Sequence, residues 1–327
     1  MNNQPILYST NETWPLAEKI SSLNGFELFR AIDQPFSDGE VQTRLSTDTR
    51  DRTVFVIGST HQPDRNLMEL LTIIRAARKA AAKKIVAVIP YFGYSRQDYK
   101  DAPRVCPTTR LVCDLIAAAG VDHILTVDLH SPQIQEFFPT NVVVDQLYMS
   151  SRFYEVFSNK FDWSRFIVAA PDANAAKIDR KLCNRVEAAG LAFIIKHRPA
   201  VNKIDDEKVI INMEIGQTVE GFNILLIDDM IDTSGTMASA SKALKKAGVN
   251  EIHIAATHGI FSGKAFEKLR ESPITKLWVT DSIPIVVDRL AAANLPFDYE
   301  VVSLDSLLAD AIRRTYAGES ISSLIKL

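Results

Sequence analysis

Two adjacent carboxylates, Asp228 and Asp229, stand at the end of an apolar run and before a short loop that contains a glycine. Residues 224–236 read ILLIDDMIDTSGT, and the residues that follow, MASASKALKKAG, have a helical period. In an open α/β sheet, ligands bind beyond the carboxyl ends of the strands, so this pair can accept hydrogen bonds from the paired hydroxyls of a ribose. The alternative is that the two carboxylates only cap the helix that follows.

Residues Asp232 to Thr236 form a loop of the kind that holds a phosphate. Their backbone N–H groups, with the hydroxyls of Thr233, Ser234 and Thr236, can surround a phosphate at the positive end of the next helix. Gly235 lets the backbone approach the ligand closely. The chain lacks the GxxxxGK[ST] pattern, which excludes the P-loop of nucleotide triphosphatases.

The segments that must position these residues alternate between short apolar runs and longer runs of helical period. Apolar runs without a polar face are typical of parallel strands that helices cover on both sides. The sequence predicts strands at 53–58, 85–90, 123–129, 166–170, 192–195, 223–227, 251–258, 276–280 and 299–303. It predicts helices at 66–84, 108–120, 173–189, 236–247 and near 304–316.

A segment near the middle of the chain is echoed in the second half. AAAGVDHILTVDLH at 117–130 and KKAGVNEIHIAATH at 245–258 align without gaps and share Ala, Gly, Val, Ile and a terminal His. The domain-sized spacing predicts two similar α/β halves with a boundary between 140 and 160. The same identities could instead reflect only the shared pattern of a helix, a glycine C-cap and a strand.

Composition limits the class of protein. The chain has 327 residues, 46% of them hydrophobic and 24% charged, which is typical of a globular protein. The formal charge of −3 argues against a protein that coats nucleic acid. We expect no membrane partner, because no apolar run is long enough to span a bilayer. The three cysteines have no CxxC spacing, which favours reduced thiols and a cytoplasmic location.

The order of several segments along the chain resembles that of the ribose-phosphate diphosphokinases, also called phosphoribosyl diphosphate synthetases. The matching segments are PFSDGEVQ (35–42), NLMELL (66–71), VIPYFGYSRQD (88–98), TVDLHSPQIQEFF (126–138), APD (170–172), KHRP (196–199), LLIDDMIDTSGT (225–236) and LLADAIRRTYAGESISSL (307–324). The resemblance implies an enzyme, a transferase that uses ATP and Mg²⁺ to place a diphosphoryl group on ribose 5-phosphate and releases AMP. It also implies self-association into dimers that build a hexamer.

The same resemblance implies an α/β fold with two similar domains of phosphoribosyltransferase-like (Rossmann-like) fold, each a mainly parallel sheet flanked by helices. We expect an N-terminal domain at 1–148 with the ATP contacts and a regulatory region. A C-terminal domain at 149–305 would bind ribose 5-phosphate and carry the catalytic loop, and a helix and tail at 306–327 would pack back on the domains.

Residue roles are also implied by the resemblance. The expected ATP-binding residues are Phe36, Asp38, Gly39, Glu40, Arg96, Gln97, Asp98 and His130. Of these, Phe36, Asp38 and Glu40 would reach the adenine of a neighbouring subunit. The expected metal-binding residues are His130, Asp172 and Asp128. The expected ribose 5-phosphate-binding residues are Arg198, Asp228, Asp229, Asp232, Thr233, Ser234, Gly235 and Thr236.

Lys196 and Arg198 begin a polar stretch after the predicted strand at 192–195, and the resemblance makes them the catalytic cations of a mobile loop. Closing two cations over the diphosphoryl group would neutralise developing negative charge and exclude water. The alternative interpretation is a solvated run of charges.

One segment departs from the family pattern. The family usually has two glycines and an arginine after its strand-end aspartate, whereas this chain has Ala173, Asn174, Ala175 and Ala176 after Asp172. The missing glycines favour one alternative to an active synthetase, a catalytically silent regulatory partner of an active synthetase. A second alternative is a phosphoribosyltransferase, which would share the pattern at 224–236. The segments FSDGE and SRQD argue against the transferase, because that enzyme needs no ATP site.

Overall fold

The strands form two seven-stranded sheets, each of them within one of two compact units. The computed structural model describes residues 4–35, 37–38, 40–170, 176–197, 208–213 and 218–325. The first unit comprises the described residues of Met1–Tyr148, Ser282–Pro284 and Ser303–Lys326, and the second comprises those of Met149–Asp281 and Ile285–Val302. The C-terminal helices therefore belong to the same unit as the N-terminus.

The first sheet is built from strands that precede Tyr148. In chain order the elements are β1 (Ile6–Ser9), α1 (Trp14–Asn24), β2 (Glu27–Pro35), β3 (Val41–Leu45), β4 (Thr53–Ile57), α2 (Arg65–Lys79), β5 (Lys84–Ile89), α3 (Thr108–Ala119), β6 (His123–Val127) and β7 (Val143–Leu147). A 3₁₀ turn spans Pro132–Phe137.

The second sheet follows after a helix and a second 3₁₀ turn, Trp163–Arg165. Its elements are α4 (Ser150–Phe157), β8 (Phe166–Ala170), α5 (Ala176–Val186), β9 (Gly190–His197), β10 (Lys208–Met213), β11 (Asn223–Ile231), α6 (Gly235–Lys246), β12 (Ile252–Gly259), α7 (Ala265–Arg270), β13 (Lys276–Thr280), α8 (Ile285–Ala292) and β14 (Asp298–Val302). The chain then returns to the first unit with α9 (Asp305–Ala317) and α10 (Ser322–Ile325).

The two sheets have the same strand order. It is β3-β2-β1-β4-β5-β6-β7 in the first and β10-β9-β8-β11-β12-β13-β14 in the second. Within the described residues, neighbouring strands are parallel except for the hairpins β2–β3 and β9–β10. In each sheet the direction of winding changes between the first and fourth strands, so β8 and β11 flank the switch point where such sheets bind ligands.

Apolar burial explains why these segments are strands of a covered sheet. The four residues of β1 are fully or almost fully buried, and the same holds for the central residues of β4, β5 and β6. Alternate strand residues such as Tyr8 and Val56 pack in one core with Leu70 of α2 and Ile116 of α3. The helix α1 packs against α9, which ties the C-terminal segment to the first unit.

The fold class predicted from the sequence is confirmed, although several predicted elements end at other residues in the structure. The predicted helix at 66–84 ends at Lys79, because Ala81 adopts a left-handed φ of 62° and Lys84 begins β5. The predicted strand at 223–227 continues to Ile231, because β12 pairs with it as far as Gly259. The predictions at 166–170 and 276–280 match β8 and β13.

The sequence echo pairs strands that are not equivalent. It aligns the α3–β6 segment, whose strand is the sixth of the first sheet along the chain, with the α6–β12 segment, whose strand is the fifth of the second. The two αL glycines that it aligns, Gly120 and Gly248, both lie after helices. The echo therefore reflects a shared helix–glycine–strand pattern, while the similarity of the halves lies in their sheet order.

In the described part of the chain, no helix combines the length and the hydropathy that a bilayer crossing requires.

Candidate active site

The acidic pair lies on the last part of β11, at the switch point of the second sheet. β11 pairs with β8 up to Leu226, which lies opposite Ala169, whereas its pairing with β12 continues past both carboxylates. Asp228 and Asp229 are half-buried, and Asp228 Oδ1 accepts a hydrogen bond of 2.9 Å from the N–H of Asp229. The two carboxylates thus stand at the sheet edge where a ligand is expected.

The loop after β11 turns directly into α6. Ser234 is the N-cap and has a left-handed φ of 60°, and its carbonyl accepts the first helical hydrogen bond from the N–H of Ala238. Thr233 and Thr236 are exposed, so their hydroxyls are accessible to a ligand at the positive end of α6. Residues 232–236, which the sequence predicts to bind a phosphate, therefore lead into the N-terminus of a helix.

Gly235 is not needed for its backbone freedom. Its φ is not left-handed, and a Cβ added there would make only ordinary contacts, 3.6 Å from Lys268 Nζ and 3.8 Å from Thr233 Oγ1. The strained residue of the loop is Ser234. Glycine at position 235 therefore leaves room beside the helix N-terminus, but no contact in the described chain requires a glycine there.

The segment between β12 and α7 holds this loop in place. Ser262 donates its hydroxyl to Asp232 Oδ1 and its N–H to the Asp232 carbonyl, at 3.0 Å. The N–H groups of Ile260 and Phe261 donate to the Ile231 carbonyl at 2.8 and 3.1 Å. These bonds fix both the end of β11 and the first residue of the loop.

A guanidinium from α8 supports that segment in turn. Arg289 donates to the carbonyls of Ile260, at 2.8 Å, and Phe261. Phe261 is fully buried with a left-handed φ of 49°, a conformation that a bulky residue rarely adopts. Sequence reasoning missed both Ser262 and Arg289; the polar segment FSGK at a strand end is the only signal that pointed there.

The backbone of Lys196 belongs to β9 and pairs with Val209 of β10. The expectation that the polar stretch begins after a strand ending at 195 is therefore wrong, because the antiparallel partner β10 extends the strand to His197. Arg198, the second predicted cation, lies outside the described residues, as does Asp172 after β8.

In the first unit, the predicted nucleotide contacts follow β5. Arg96 and Gln97 are exposed and Asp98 is half-buried, in a turn closed by a hydrogen bond of 2.9 Å from the N–H of Gln97 to the Tyr94 carbonyl. Thr109 of α3 donates its hydroxyl to the same carbonyl at 2.6 Å. The turn thus presents two long polar side chains from a fixed backbone.

A glycine places this turn against the end of β4. Gly93 donates its N–H to Thr60 Oγ1 at 2.7 Å. A Cβ at Gly93 would lie 2.1 Å from the Thr60 carbonyl oxygen, so a larger residue could not fit without a backbone shift. The close approach fixes the path of the chain toward Arg96.

Asp128 and His130 follow the neighbouring strand, β6. Asp128 is half-buried with a left-handed φ of 38°, and its N–H donates to the Leu147 carbonyl at 3.0 Å. Burial raises the pKa of the nearby Tyr148, and the charge of Asp128 adds to that rise. His130 is exposed. Since β5 and β6 are parallel neighbours, these two residues and the Arg96 turn lie at the same edge of the first sheet.

The predicted metal ligands are only partly described. Within the described residues, no three His, Cys, Asp or Glu side chains group closely enough to hold a metal ion. Asp172, the third predicted ligand, lies outside those residues, so the structure describes only the Asp128 and His130 part of the set.

The described residues of the FSDGE segment, 37, 38 and 40, lie between β2 and β3. The exposed Asp38 accepts a hydrogen bond of 3.0 Å on Oδ1 from the N–H of Glu40, which is itself exposed. This side-chain bond to a backbone group two residues on is typical of an Asx turn. Phe36 and Gly39 lie outside the described residues.

Two families of domain match the chain. A model described as the N-terminal domain of ribose phosphate pyrophosphokinase matches residues 6–120, and one described as a phosphoribosyl synthetase-associated domain matches residues 193–326.

Similar proteins extend over almost the whole chain. A ribose-phosphate pyrophosphokinase of Chlorobaculum tepidum is 42% identical over 94% of this chain and 91% of its own. One of Aquifex aeolicus is 39% identical over 99% of each chain. The crystal structure of phosphoribosylpyrophosphate synthetase from Mycobacterium smegmatis is 31% identical and superposes with a TM-score of 0.83, covering 96% of this chain and 99% of that one.

Proposed function

The chain belongs to the ribose-phosphate pyrophosphokinase family, and we propose that the residues described above transfer the β,γ-diphosphoryl group of ATP to ribose 5-phosphate. In this reaction the anomeric oxygen of the sugar forms a bond to the β-phosphorus and loses its proton, while the bond between that phosphorus and AMP breaks. Family membership confirms the predicted resemblance, and with it the prediction of a diphosphoryl-transferring enzyme.

The proposed roles of the substrate-binding residues rest mainly on the β11–α6 loop. Asp228 and Asp229 are hydrogen-bond acceptors at the switch point, suited to the two neighbouring hydroxyls of the ribose. Residues 232–236 offer N–H groups and hydroxyls at the N-terminus of α6, suited to the 5-phosphate. The sugar therefore lies along the loop, with its hydroxyls toward β11 and its phosphate toward α6.

ATP takes the edge of the first sheet. Arg96 can donate a bidentate pair of hydrogen bonds to phosphate oxygens, and Gln97, Asp98 and His130 complete the nucleotide contacts. In the FSDGE segment, Phe36, Asp38 and Glu40 reach the adenine of a second copy of the chain, and Gly39 lies between them in the sequence. This arrangement requires self-association, and we propose a dimer-based assembly that closes as a hexamer.

The metal is Mg²⁺. Asp128 supplies the kind of oxygen that this hard cation prefers, and its exposed neighbour His130 is within two residues of it. Asp172 and the phosphate oxygens of ATP would complete the set. When bound, the ion neutralises charge on the phosphate oxygens.

Lys196 and Arg198 act on the group in transfer. Two cations beside the diphosphoryl group offset the negative charge that develops there, and they help to keep out water that would compete with the sugar. The position of Lys196 on a paired strand supports this role, because the ladder between β9 and β10 fixes its backbone.

The three predicted parts of the chain have separate tasks in this proposal. Residues 1–148 contribute the ATP contacts, residues 149–305 bind the sugar phosphate and carry the catalytic cations, and residues 306–327 pack back on the domains. Both substrates are polyanions that do not cross a lipid bilayer unaided, so the enzyme must share their compartment, which we propose is the cytoplasm.

The test is to incubate the purified protein with ATP, ribose 5-phosphate and Mg²⁺ and to resolve AMP and 5-phosphoribosyl 1-diphosphate by chromatography. We expect equal amounts of the two products, and a Lys196→Ala variant that folds normally but loses most turnover. Lys181→Ala, which removes an exposed lysine from α5, is the matched control.

The outcomes separate the alternatives. A folded, oligomeric protein that forms neither product would instead be a silent partner of an active synthetase. Formation of product by Lys196→Ala at a near-normal rate would remove that lysine from the mechanism.

A further inference from the structure

Lys268 brings an ammonium group to the N-terminus of α6. It lies on α7 and is half-buried. Its Nζ is 3.6 Å from the point where a Cβ of Gly235 would lie, and Thr233 Oγ1 is 3.8 Å from the same point. An ammonium and a hydroxyl therefore both lie beside the first residue of the helix.

This position is electrostatically unfavourable for a lysine in the absence of an anion. The N-terminal end of a helix carries a positive partial charge and favours negative groups. Among the described residues, other lysines of the same region have carboxylate partners: Lys264 lies 3.9 Å from Glu267, and Lys276 lies 3.4 Å from Glu300. Within the described residues, Lys268 has no such carboxylate partner.

The N-cap of the same helix also has an unused hydrogen-bonding group. Ser234 is 4% exposed, and its Oγ makes no hydrogen bond to the described part of the protein. An N-cap serine usually accepts a hydrogen bond from the helix, and this one has no such bond. A cation without a carboxylate and a buried hydroxyl without a partner at one helix end both point to an anionic ligand there.

The corresponding place in the first unit is arranged differently. Helix α2 follows the fourth strand of its sheet, as α6 does in the second. Its N-cap is Asp64, whose carboxylate accepts hydrogen bonds from Tyr94 and, at 2.6 Å, from Gln62. There the protein supplies its own negative group at the helix end, whereas at α6 it supplies a further positive one.

We propose that Lys268 is a binding residue for the 5-phosphate of ribose 5-phosphate, which its ammonium contacts together with the Thr233 hydroxyl and the N-terminus of α6. This inference rests on the proposed function of the β11–α6 loop. The charges also orient the sugar, because Asp228 and Asp229 repel the phosphate from one end of the loop while Lys268 attracts it to the other.

The experiment compares steady-state kinetics of the full-length enzyme and four variants: Lys268→Ala, Lys268→Gln, Lys268→Arg and Lys242→Ala. Lys242 is an exposed lysine of α6, about two turns from its N-terminus, and controls for the loss of one positive charge. Each protein is assayed with ribose 5-phosphate varied at saturating ATP and with ATP varied at saturating ribose 5-phosphate.

A hydrogen bond to a charged group contributes enough for its loss to raise the KM for ribose 5-phosphate about ten- to hundredfold in Lys268→Ala and Lys268→Gln. We expect kcat and the KM for ATP to stay within about twofold of the parent. Lys268→Arg keeps the charge and should recover most of the affinity, and Lys242→Ala should match the parent. The melting temperature of each variant verifies its fold, and the glutamine variant retains most of the side-chain length if alanine disturbs packing.

The results distinguish two kinds of failure. A parent enzyme without turnover overturns the proposed function, and this inference with it. An active parent whose alanine and glutamine variants keep an unchanged KM for ribose 5-phosphate overturns the role of Lys268 alone, as would an equal rise in the KM for ATP.

Discussion

Removing the hydroxyl of Ser262 tests most directly how the β11–α6 loop, the proposed sugar-phosphate loop, is positioned. Ser262→Ala removes the hydrogen bond to Asp232 Oδ1 but keeps the backbone hydrogen bond of 3.0 Å from residue 262 to the Asp232 carbonyl. The loop therefore retains one anchor, and the orientation of the Asp232 side chain is what changes.

The size of the effect follows from the type of bond. A hydrogen bond to a charged group contributes about 1.5–3 kcal/mol, and the lower end applies because both side chains are only half-buried. If the whole of about 1.5 kcal/mol is lost from binding, the KM for ribose 5-phosphate rises about tenfold. If it is lost from the free energy of unfolding, the melting temperature of a unit of this size falls by about 3–6 °C. Both losses come from the same hydrogen bond, so the lost binding free energy and the lost unfolding free energy together cannot exceed about 1.5 kcal/mol.

The assay measures both quantities on the same preparation, with the KM for ATP as an internal reference that should not change. Ser164→Ala is the matched control, because Ser164 donates its hydroxyl to Asp162 at 2.6 Å on the exposed surface of the same unit, away from the loop. We expect it to leave the KM for ribose 5-phosphate unaltered and to cost little stability.

Two results would refute the reasoning. One is a Ser262→Ala enzyme whose KM for ribose 5-phosphate and melting temperature both equal those of the parent. The other is a loss of affinity of the same size in Ser164→Ala, which would show that the effect does not depend on the loop.

Two further predictions concern the first unit. Gly93→Ala places a Cβ 2.1 Å from the Thr60 carbonyl oxygen, so the turn that carries Arg96 must shift. We expect a loss of about 1–3 kcal/mol in unfolding free energy and a higher KM for ATP, with little change in the KM for ribose 5-phosphate. An unchanged KM for ATP would contradict the role of the turn. Burial lowers the pKa of His61 from 6.5 to about 4. Below pH 6.5 the unfolded chain binds a proton that the folded chain excludes, so the free energy of unfolding should fall by about 3 kcal/mol as the pH drops from 6.5 to 4. The free energy of unfolding of His61→Asn, measured in urea, should depend less steeply on pH over that range. An equal pH dependence in both proteins would refute this.

Local features of the sequence were sufficient to propose a sugar-phosphate loop at residues 228–236. The acidic pair, the hydroxyls and the glycine are contiguous, and an apolar run before them and a helical period after them specify a strand–loop–helix unit without reference to the rest of the chain. The alternation of apolar runs and helical periods likewise predicted the fold class, because strands that are buried on both faces of a parallel sheet consist mainly of apolar residues.

Element ends were less predictable, because neighbours in the sheet determine them. The apolar pattern ends at Ile227, but pairing with β12 carries β11 through Asp228 and Asp229 to Ile231. In the same way β10 extends β9 to include Lys196. A residue's own side chain says little about whether an adjacent strand offers its backbone a hydrogen-bonding partner.

Only the tertiary structure brought Ser262 and Lys268 to the loop, and Arg289 to the segment that holds it. Each is separated from it by at least one strand or helix, and no pattern near residues 228–236 records them. The parallel arrangement of β11 and β12 places the ends of both strands at one edge, so the segment after β12 lies against the segment after β11. The sequence by itself determined which loop has the groups to bind a phosphate. The sheet decided which distant side chains hold that loop and which cation lies beside it, because contacts between strand ends depend on strand order and not on distance along the chain.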